Sequence, residues 1–310
     1  MRVIIVGLGI QGQKRRRIAG DDVVATIDPV SPEAAYRDLS QVPTDAYDAA
    51  LLCIPDGPKL GLVEGLLKSG KHVLVEKPLF AESDDRLVAL QALATQHRAV
   101  CYTAYNHRFE PHIATLKAVI EAGTLGQLYR ARFFYGNGTA RDVRQSVWRD
   151  EGAGVLPDLG SHLLDMTLFL FDRLPDDLTV WAARRFENRS FDHVICGSRG
   201  DFLVEYEMSL LSWRNHFVAE VVGDRGSARI SSLCKWGPTS LTIDRRILPS
   251  GRPTEDSRTV VEPDPTWAAE YDHFKALCAD GGGGNLGNDV VINGGLRKLI
   301  DAAHRLAEAP

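Results

Sequence analysis

Short apolar runs alternate with helical spacing along residues 1–120. Residues 2–6, 23–27, 49–54, 72–75 and 100–102 read as strands. Between them, residues 60–68 and 84–97 repeat apolar positions at helical intervals. Leu62, Val63, Leu66 and Leu67 mark the first of these helices, and Leu87, Leu90 and Leu93 mark the second. Gly70 stands where the first helix should stop. Apolar strands alternating with helices predict a parallel sheet covered on both faces.

The pattern then changes. Residues 112–122 and 161–171 read as helices, with a turn over Gly123–Gly126. From 178 to 248 the signals are long and alternating, as in Phe202-Leu203-Val204-Glu205-Tyr206-Glu207-Met208. This predicts an antiparallel sheet with one covered face. Residues 249–265, rich in Pro, Ser and charge, read as a loop. Helices are expected over 267–279 and 288–308, joined by the run Gly281-Gly282-Gly283-Gly284, which reads as a flexible connection.

Composition narrows the class. The chain has 310 residues, 44% hydrophobic and 25% charged, ordinary for a globular protein of about two domains. Lys and Arg number 36 against 41 Asp and Glu, a net charge of -5 that argues against a nucleic-acid partner. No apolar run reaches the roughly 20 residues that span a bilayer. The N-terminus enters a strand at once and carries no secretory pattern, so neither a membrane nor export is expected. The cysteines (Cys53, Cys101, Cys196, Cys234 and Cys278) are scattered and odd in number, without a Cys-x-x-Cys pair. They suggest neither a disulfide frame nor a metal site, and fit a reducing, cytoplasmic setting.

The first strand runs into Gly7-Leu8-Gly9-Ile10-Gln11-Gly12, and a helical stretch follows. In that context Gly-x-Gly-x-x-Gly is a dinucleotide fingerprint. The first glycine makes the turn, the second lets backbone approach a pyrophosphate, and the third lets helix pack on strand. Asp28, at the end of the second strand, suits the adenosine ribose hydroxyls and repels a 2′-phosphate, which favours NAD. Alternatively it only opens the turn at Pro29. Lys14-Arg15-Arg16-Arg17 reads as a solvated helix face, or as an arginine source for a 2′-phosphate, which keeps NADP open.

Lys77 follows the strand 72–75 and so lies at the carboxyl edge of the sheet, where such folds bind ligands. Asp158, His162 and Asp165 are spaced to share one helix face amid Leu159, Leu163, Leu164 and Met166. Ionisable groups in such company must be paired or face a cleft. Asn106, His107, Arg108, Trp148 and Arg149 are candidates to border a substrate. For each arginine an ion pair is an equal alternative, and a packed core position is one for Trp148.

Taken together, Gly7 to Gly12, Ile54-Pro55-Asp56, Glu76-Lys77-Pro78, Tyr105 to Pro111 and Asp158-Leu159-Gly160-Ser161-His162-Leu163-Leu164-Asp165 resemble the Gfo/Idh/MocA family. The resemblance runs by motif over residues 1–172. It implies an α/β fold: an N-terminal Rossmann parallel sheet (1–120) plus a C-terminal α+β domain with a large open, mostly antiparallel sheet (121–310). The last helices are free to pack back on the first domain. It implies an NAD(P)-dependent oxidoreductase that moves hydride to or from a secondary alcohol or ketone of a sugar, aminosugar, cyclitol or nucleotide sugar. Lys77, Asp158 and His162 are then catalytic. Gly7, Gly9, Ile10, Gln11, Gly12, Asp28, Ile54, Pro55, Asp56, Glu76 and Lys77 are at the cofactor. Asn106, Arg108, Trp148, Arg149 and Asp165 are left for substrate. Family members are commonly homodimers or homotetramers, and residues 202–221 would suit such a face. The chain departs from the family at Ile54, where Thr or Ser is usual, at Lys59, where many members have His, and in its short 28–49 stretch. An NAD-dependent glycosidase with transient oxidation, a non-catalytic dinucleotide sensor and a tailoring reductase acting on the ketone of a biosynthetic intermediate are the competing readings.

Overall fold

The computed structural model describes residues 1–308, the Trp148 side chain excepted. Its elements run β1 (Val3–Val6), α1 (Ile10–Ala19), β2 (Val23–Ile27), β3 (Ala49–Leu52), α2 (Asp56–Lys68), β4 (His72–Glu76), α3 (Asp84–Gln96) and β5 (Cys101–Ala104). Then come α4 (Pro111–Glu121), β6 (Leu128–Gly136), α5 (Ala140–Arg144), α6 (Val147–Asp150) and α7 (Ser161–Phe171). Strands β7 (Thr179–Arg184), β8 (His193–Ser198), β9 (Leu203–Ser209), β10 (His216–Gly223), β11 (Gly226–Ser231), β12 (Thr239–Arg245) and β13 (Thr254–Val260) follow. Helices α8 (Thr266–Asp280) and α9 (Leu286–Glu308) close the sequence. Among the described residues no helix is long and apolar enough to cross a membrane.

The chain divides into two units. The first holds Met1–Asn106 and Thr266–Asn293; the second holds His107–Pro265 and the chain from Gly294 onward. The boundary thus lies at Asn106, not at residue 120, and α8 belongs with the first unit.

In the first unit the strands are parallel in the order β2-β1-β3-β4-β5. Alternate residues of each strand feed opposite faces, as the pleat requires. Ile4, Ala50 and Leu52 pack with Val63, Leu66 and Leu67 of α2 and Leu87 and Leu90 of α3. Val3, Ile5 and Leu51 pack with Tyr271 and Phe274 of α8. A parallel sheet must be covered on both sides, and α8 is the helix that supplies much of the second cover.

In the second unit the order is β13-β12-β11-β10-β6-β9-β8-β7, antiparallel throughout except for β6 beside β9. Phe133, Tyr135, Tyr206, Met208, Phe217 and Ile230 are buried on one face. Helix α7 lies against that face, where Tyr206 Oη donates to Thr167 Oγ1 at 2.8 Å. Opposite, Arg130 pairs with Glu220, and Arg132 with Glu205 and Glu207. Two strands lie outside the predicted elements. β6, near the middle of the sheet, lay between the two predicted helices. β13 lies inside the stretch read as a loop. Most of its side chains are exposed, so its order comes from backbone bonding to β12 rather than from burial.

The glycine run before α9 is more than a flexible connection. A Cβ on Gly284 would overlap the Cys101 carbonyl oxygen, whereas one on Gly283 would meet no described atom within 4 Å. Beside it, Asn285 accepts from the Thr103 N–H at 2.6 Å and donates to the Thr103 carbonyl at 2.8 Å. Gly284→Ala is therefore expected to lower stability by about 1–3 kcal/mol. Gly283→Ala should stay within about 1 kcal/mol of the parent. Urea unfolding midpoints at unchanged slope read both, and equal effects would refute the packing role of Gly284.

Candidate functional site

The glycine loop in the first unit is shaped by steric necessity at two positions. Gly7 adopts φ +90°, and a Cβ there would strike the Cys53 carbonyl. A Cβ on Gly12 would strike the Gly7 carbonyl oxygen. At Gly9, a Cβ would meet no described atom within 4 Å. The backbone is thus open to an incoming group at the helix N-terminus, where no side chain caps α1. Ile10, the first residue of α1, is 88% exposed there. This loop fits a dinucleotide, whose pyrophosphate an uncapped helix start favours.

Asp28 stabilises the loop from the end of β2. Its carboxylate accepts from the N–H groups of Leu8 at 2.7 Å, Val30 at 2.8 Å and Ser31 at 2.7 Å. These bonds, that from Leu8 foremost, hold it below the ordinary carboxylate range despite partial burial. Asp28 therefore both opens the turn and ties down the glycine loop. Ile54 is partly buried, while Gln11, Pro55 and Asp56 are exposed.

The basic run in α1 fits neither of its sequence readings as a whole. Arg15 is buried at 1% exposure, with Nε on Glu76 at 2.8 Å and Nη2 on Glu270 at 2.6 Å. Burial works against its charge, but the two carboxylates overcome this and raise its pKa. It therefore neither faces solvent nor is free to meet a 2′-phosphate. Arg16 and Arg17 are exposed, and Arg16 pairs with Glu33 at 3.5 Å.

Glu76, held by Arg15, precedes the partly buried Lys77 at the carboxyl end of β4. The Lys77–Pro78 bond is cis. Lys59 reaches this turn from α2. Its buried Nζ donates to the Pro78 carbonyl at 3.0 Å and the Lys77 carbonyl at 3.5 Å, and pairs with Asp56 at 2.7 Å. Burial lowers the Lys59 pKa, and Asp56 opposes that. Lys59 thus supports the backbone that carries Lys77. Asn106, also in this unit, is buried and donates to Thr266 Oγ1 at 2.7 Å.

The second unit carries the other candidates. Asp158 does not sit on the same regular helix as His162. It lies in a π-helical turn, Leu156–Gly160, that runs into α7. Such turns re-aim side chains and recur at functional sites. Asp158 accepts from Arg149 Nη2 at 3.3 Å. His162 is 7% exposed, and its ring is stacked on that of His107 with centroids 4.1 Å apart. Arg108 and Asp165 are brought to each other: Nε and Nη2 of the arginine hold both carboxylate oxygens at 2.6–3.0 Å. Burial raises the Asp165 pKa and Arg108 opposes it. This pair accounts for both groups without a ligand. The Trp148 side chain lies outside the described residues.

Residues not assigned from the sequence complete this cluster. Lys235 Nζ lies 3.2 Å from His107 Nε2 and 3.1 Å from Tyr135 Oη. The Tyr135 ring lies 5.4 Å from that of His107 and 6.0 Å from that of His162. Next to Lys235, Cys234 donates its thiol to Glu110 Oε2 at 2.6 Å, and burial pushes both groups up. No local motif marks Lys235, because its partners are distant in sequence.

Two family models match the chain. One, described as an oxidoreductase family with an NAD-binding Rossmann fold, covers residues 1–105. The other, the GFO/IDH/MocA C-terminal domain, covers residues 113–229. The chain is 28% identical over 162 residues to the scyllo-inositol 2-dehydrogenase (NADP(+)) of Bacillus subtilis, a match spanning 51% of this chain and 44% of that protein. Less than half of that relative's length is therefore covered. The fold is similar to that of levoglucosan dehydrogenase in complex with NADH, with TM-score 0.83, 17% identity and coverage of 98% and 97% of the two chains. It is also similar to an inositol dehydrogenase homolog from Azotobacter vinelandii complexed with NADH and myo-inositol, with TM-score 0.77, 18% identity and coverage of 98% and 96%. With the glycine loop, the Glu-Lys-Pro turn and both domain models in agreement, the chain belongs to the Gfo/Idh/MocA family of NAD-binding oxidoreductases.

Proposed function

We propose that the protein is an NAD(P)-dependent dehydrogenase or reductase acting on a secondary alcohol or ketone of a polyhydroxylated small molecule. A sugar, aminosugar, cyclitol or nucleotide sugar is the intended class. The observation that carries this reading lies in the first unit. Lys77 stands at the carboxyl end of a parallel strand, on the same sheet edge as a glycine loop left open at Gly9. Relatives named for scyllo-inositol and levoglucosan support the substrate class.

The glycine loop and Asp28 hold the dinucleotide, with Ile10, Gln11, Ile54, Pro55, Asp56 and Glu76 around it. When bound, its nicotinamide accepts or gives the hydride. Lys77 donates a hydrogen bond from Nζ to the reacting substrate oxygen and steadies developing alkoxide charge. The His162 imidazole takes the hydroxyl proton in oxidation and returns it in reduction. Asp158, held by Arg149, orients a substrate hydroxyl or the imidazole. Asn106 and Arg149 border the substrate, while Arg108 and Asp165 fix α7 through their ion pair. Asp28 favours NAD over NADP. Free cysteines fit a reducing cytoplasm, and the outer face of the larger sheet suits a second copy of the chain.

Lys77→Ala is expected to cut turnover by about 10²–10⁴-fold while leaving NADH affinity within about twofold. Absorbance at 340 nm and fluorescence titration measure the two, and loss of both would make Lys77 structural. With a panel of polyols and keto-sugars, steady absorbance change supports the reading. Glycoside cleavage without net change supports the glycosidase, and silence with tight NADH binding supports the sensor.

Asp28→Ala should weaken NADH binding by about tenfold or more, because it releases the Leu8 N–H from a charge-assisted bond. The folded pKa of Asp28 is lowered, so its stabilisation is complete above the unfolded value of about 3.9. It is lost as pH falls through the lower folded value. Acid titration of parent and variant should therefore converge only at strongly acidic pH, and convergence at neutral pH would refute the role.

A further inference from the structure

Lys235 has no role in the reading above, yet it is held from several sides. It lies in the short turn Cys234–Trp236, after β11. Its Nζ lies 4.6 Å from the Trp236 ring centre, 3.1 Å from Tyr135 Oη and 3.2 Å from His107 Nε2. An ammonium has donors and no acceptor. Facing the charged form of Lys235, His107 Nε2 is the acceptor, which assigns the ring proton to Nδ1. An imidazolium has no lone pair to offer, so this contact opposes protonation of His107. The neutral ring is the one stacked on His162 at 4.1 Å.

We propose that Lys235 is a positioning residue that fixes His107 as the neutral Nδ1–H tautomer, leaving His162 as the member of the stacked pair that takes up a proton. The part concerning His107 stands on geometry alone. Its consequence for turnover rests on the reading of His162 given above.

The charged and titratable groups around the pair are consistent with this. From β6, Tyr135 approaches both rings, and from β10 the apolar Phe217 approaches His107. From the π turn and α6 come Asp158 and Arg149, already paired. Arg108, next to His107 in sequence, is neutralised by Asp165 of α7. Burial lowers the Lys235 pKa, while Asp264, Glu110, Cys234 and Asp158 oppose that and favour the ammonium. A second cation on His107 would lie against both Lys235 and His162, and like charges that close disfavour one another.

The test is long-range proton–nitrogen NMR of the full chain carrying ¹⁵N-histidine, with His107 assigned by loss of its signals in His107→Gln. In the parent, His107 should show the Nδ1–H tautomer and stay neutral from pH 8 to 5. In Lys235→Met its protonation should move to higher pH than in the parent, because Nε2 no longer faces a donor-only cation. Lys235→Arg, which also offers only donors, should keep it neutral and guards against misfolding of the methionine variant. A parent His107 in the Nε2–H form, or unchanged His107 titration in Lys235→Met, overturns the proposal. The pH profile of turnover separates the two layers. A changed His107 with an unmoved profile upholds Lys235 and removes His162 as the proton acceptor.

Discussion

A guanidinium can be buried only where carboxylates meet it, and Arg15 shows how much architecture one such requirement sets. It sits on the helix that follows the glycine loop, at 1% exposure, between Glu76 at the end of β4 and Glu270 on α8. Trp267 lies 4.2 Å beneath it. Three elements are registered by this group: the helix that follows the glycine loop, the strand that leads into Lys77, and the helix that covers a sheet face. Removing one partner of such a set leaves a buried charge exposed to its full desolvation cost, typically about 3–5 kcal/mol. The contact therefore couples the position of the glycine loop to that of the Glu-Lys-Pro turn within one unit.

That same residue marks the limit of what the sequence discloses. Gly7 and Gly12 were legible because their demand is local: each lies against backbone a few angstroms away in a loop of fixed pattern. Asp28 was legible for the same reason, although its backbone bonds to the loop were not. Arg15 looked like one member of a basic run because Glu270 is far along the chain. β6 and β13 escaped for different reasons. The alternation of β6, Arg130-Ala131-Arg132-Phe133, is short and flanked by helical stretches, and β13 has few buried side chains to leave a pattern.

The second unit shows the same division. The spacing of Asp158, His162 and Asp165 suggested one shared helix face, but the π turn breaks the regular repeat. Their partners are Arg149, His107 and Arg108 respectively. The segment from His107 to Glu110 had been noted for its chemistry, yet Lys235 and Tyr135 reach it only through the folded sheet. A motif is legible in one stretch of sequence, whereas the groups that pack against it are set by tertiary contacts.

The contact of Asn285 with β5 bears on the behaviour of the whole first sheet. β5 is the last strand of its row, and a terminal strand offers its unused main-chain groups to any other chain that can extend alongside it. Here the Asn285 side chain occupies both main-chain groups of Thr103, and its own N–H reaches the Cys101 carbonyl at 3.2 Å. An amide that imitates a peptide group, but cannot propagate one, closes the row. Main-chain groups engaged in this way are no longer open to pairing with a further strand.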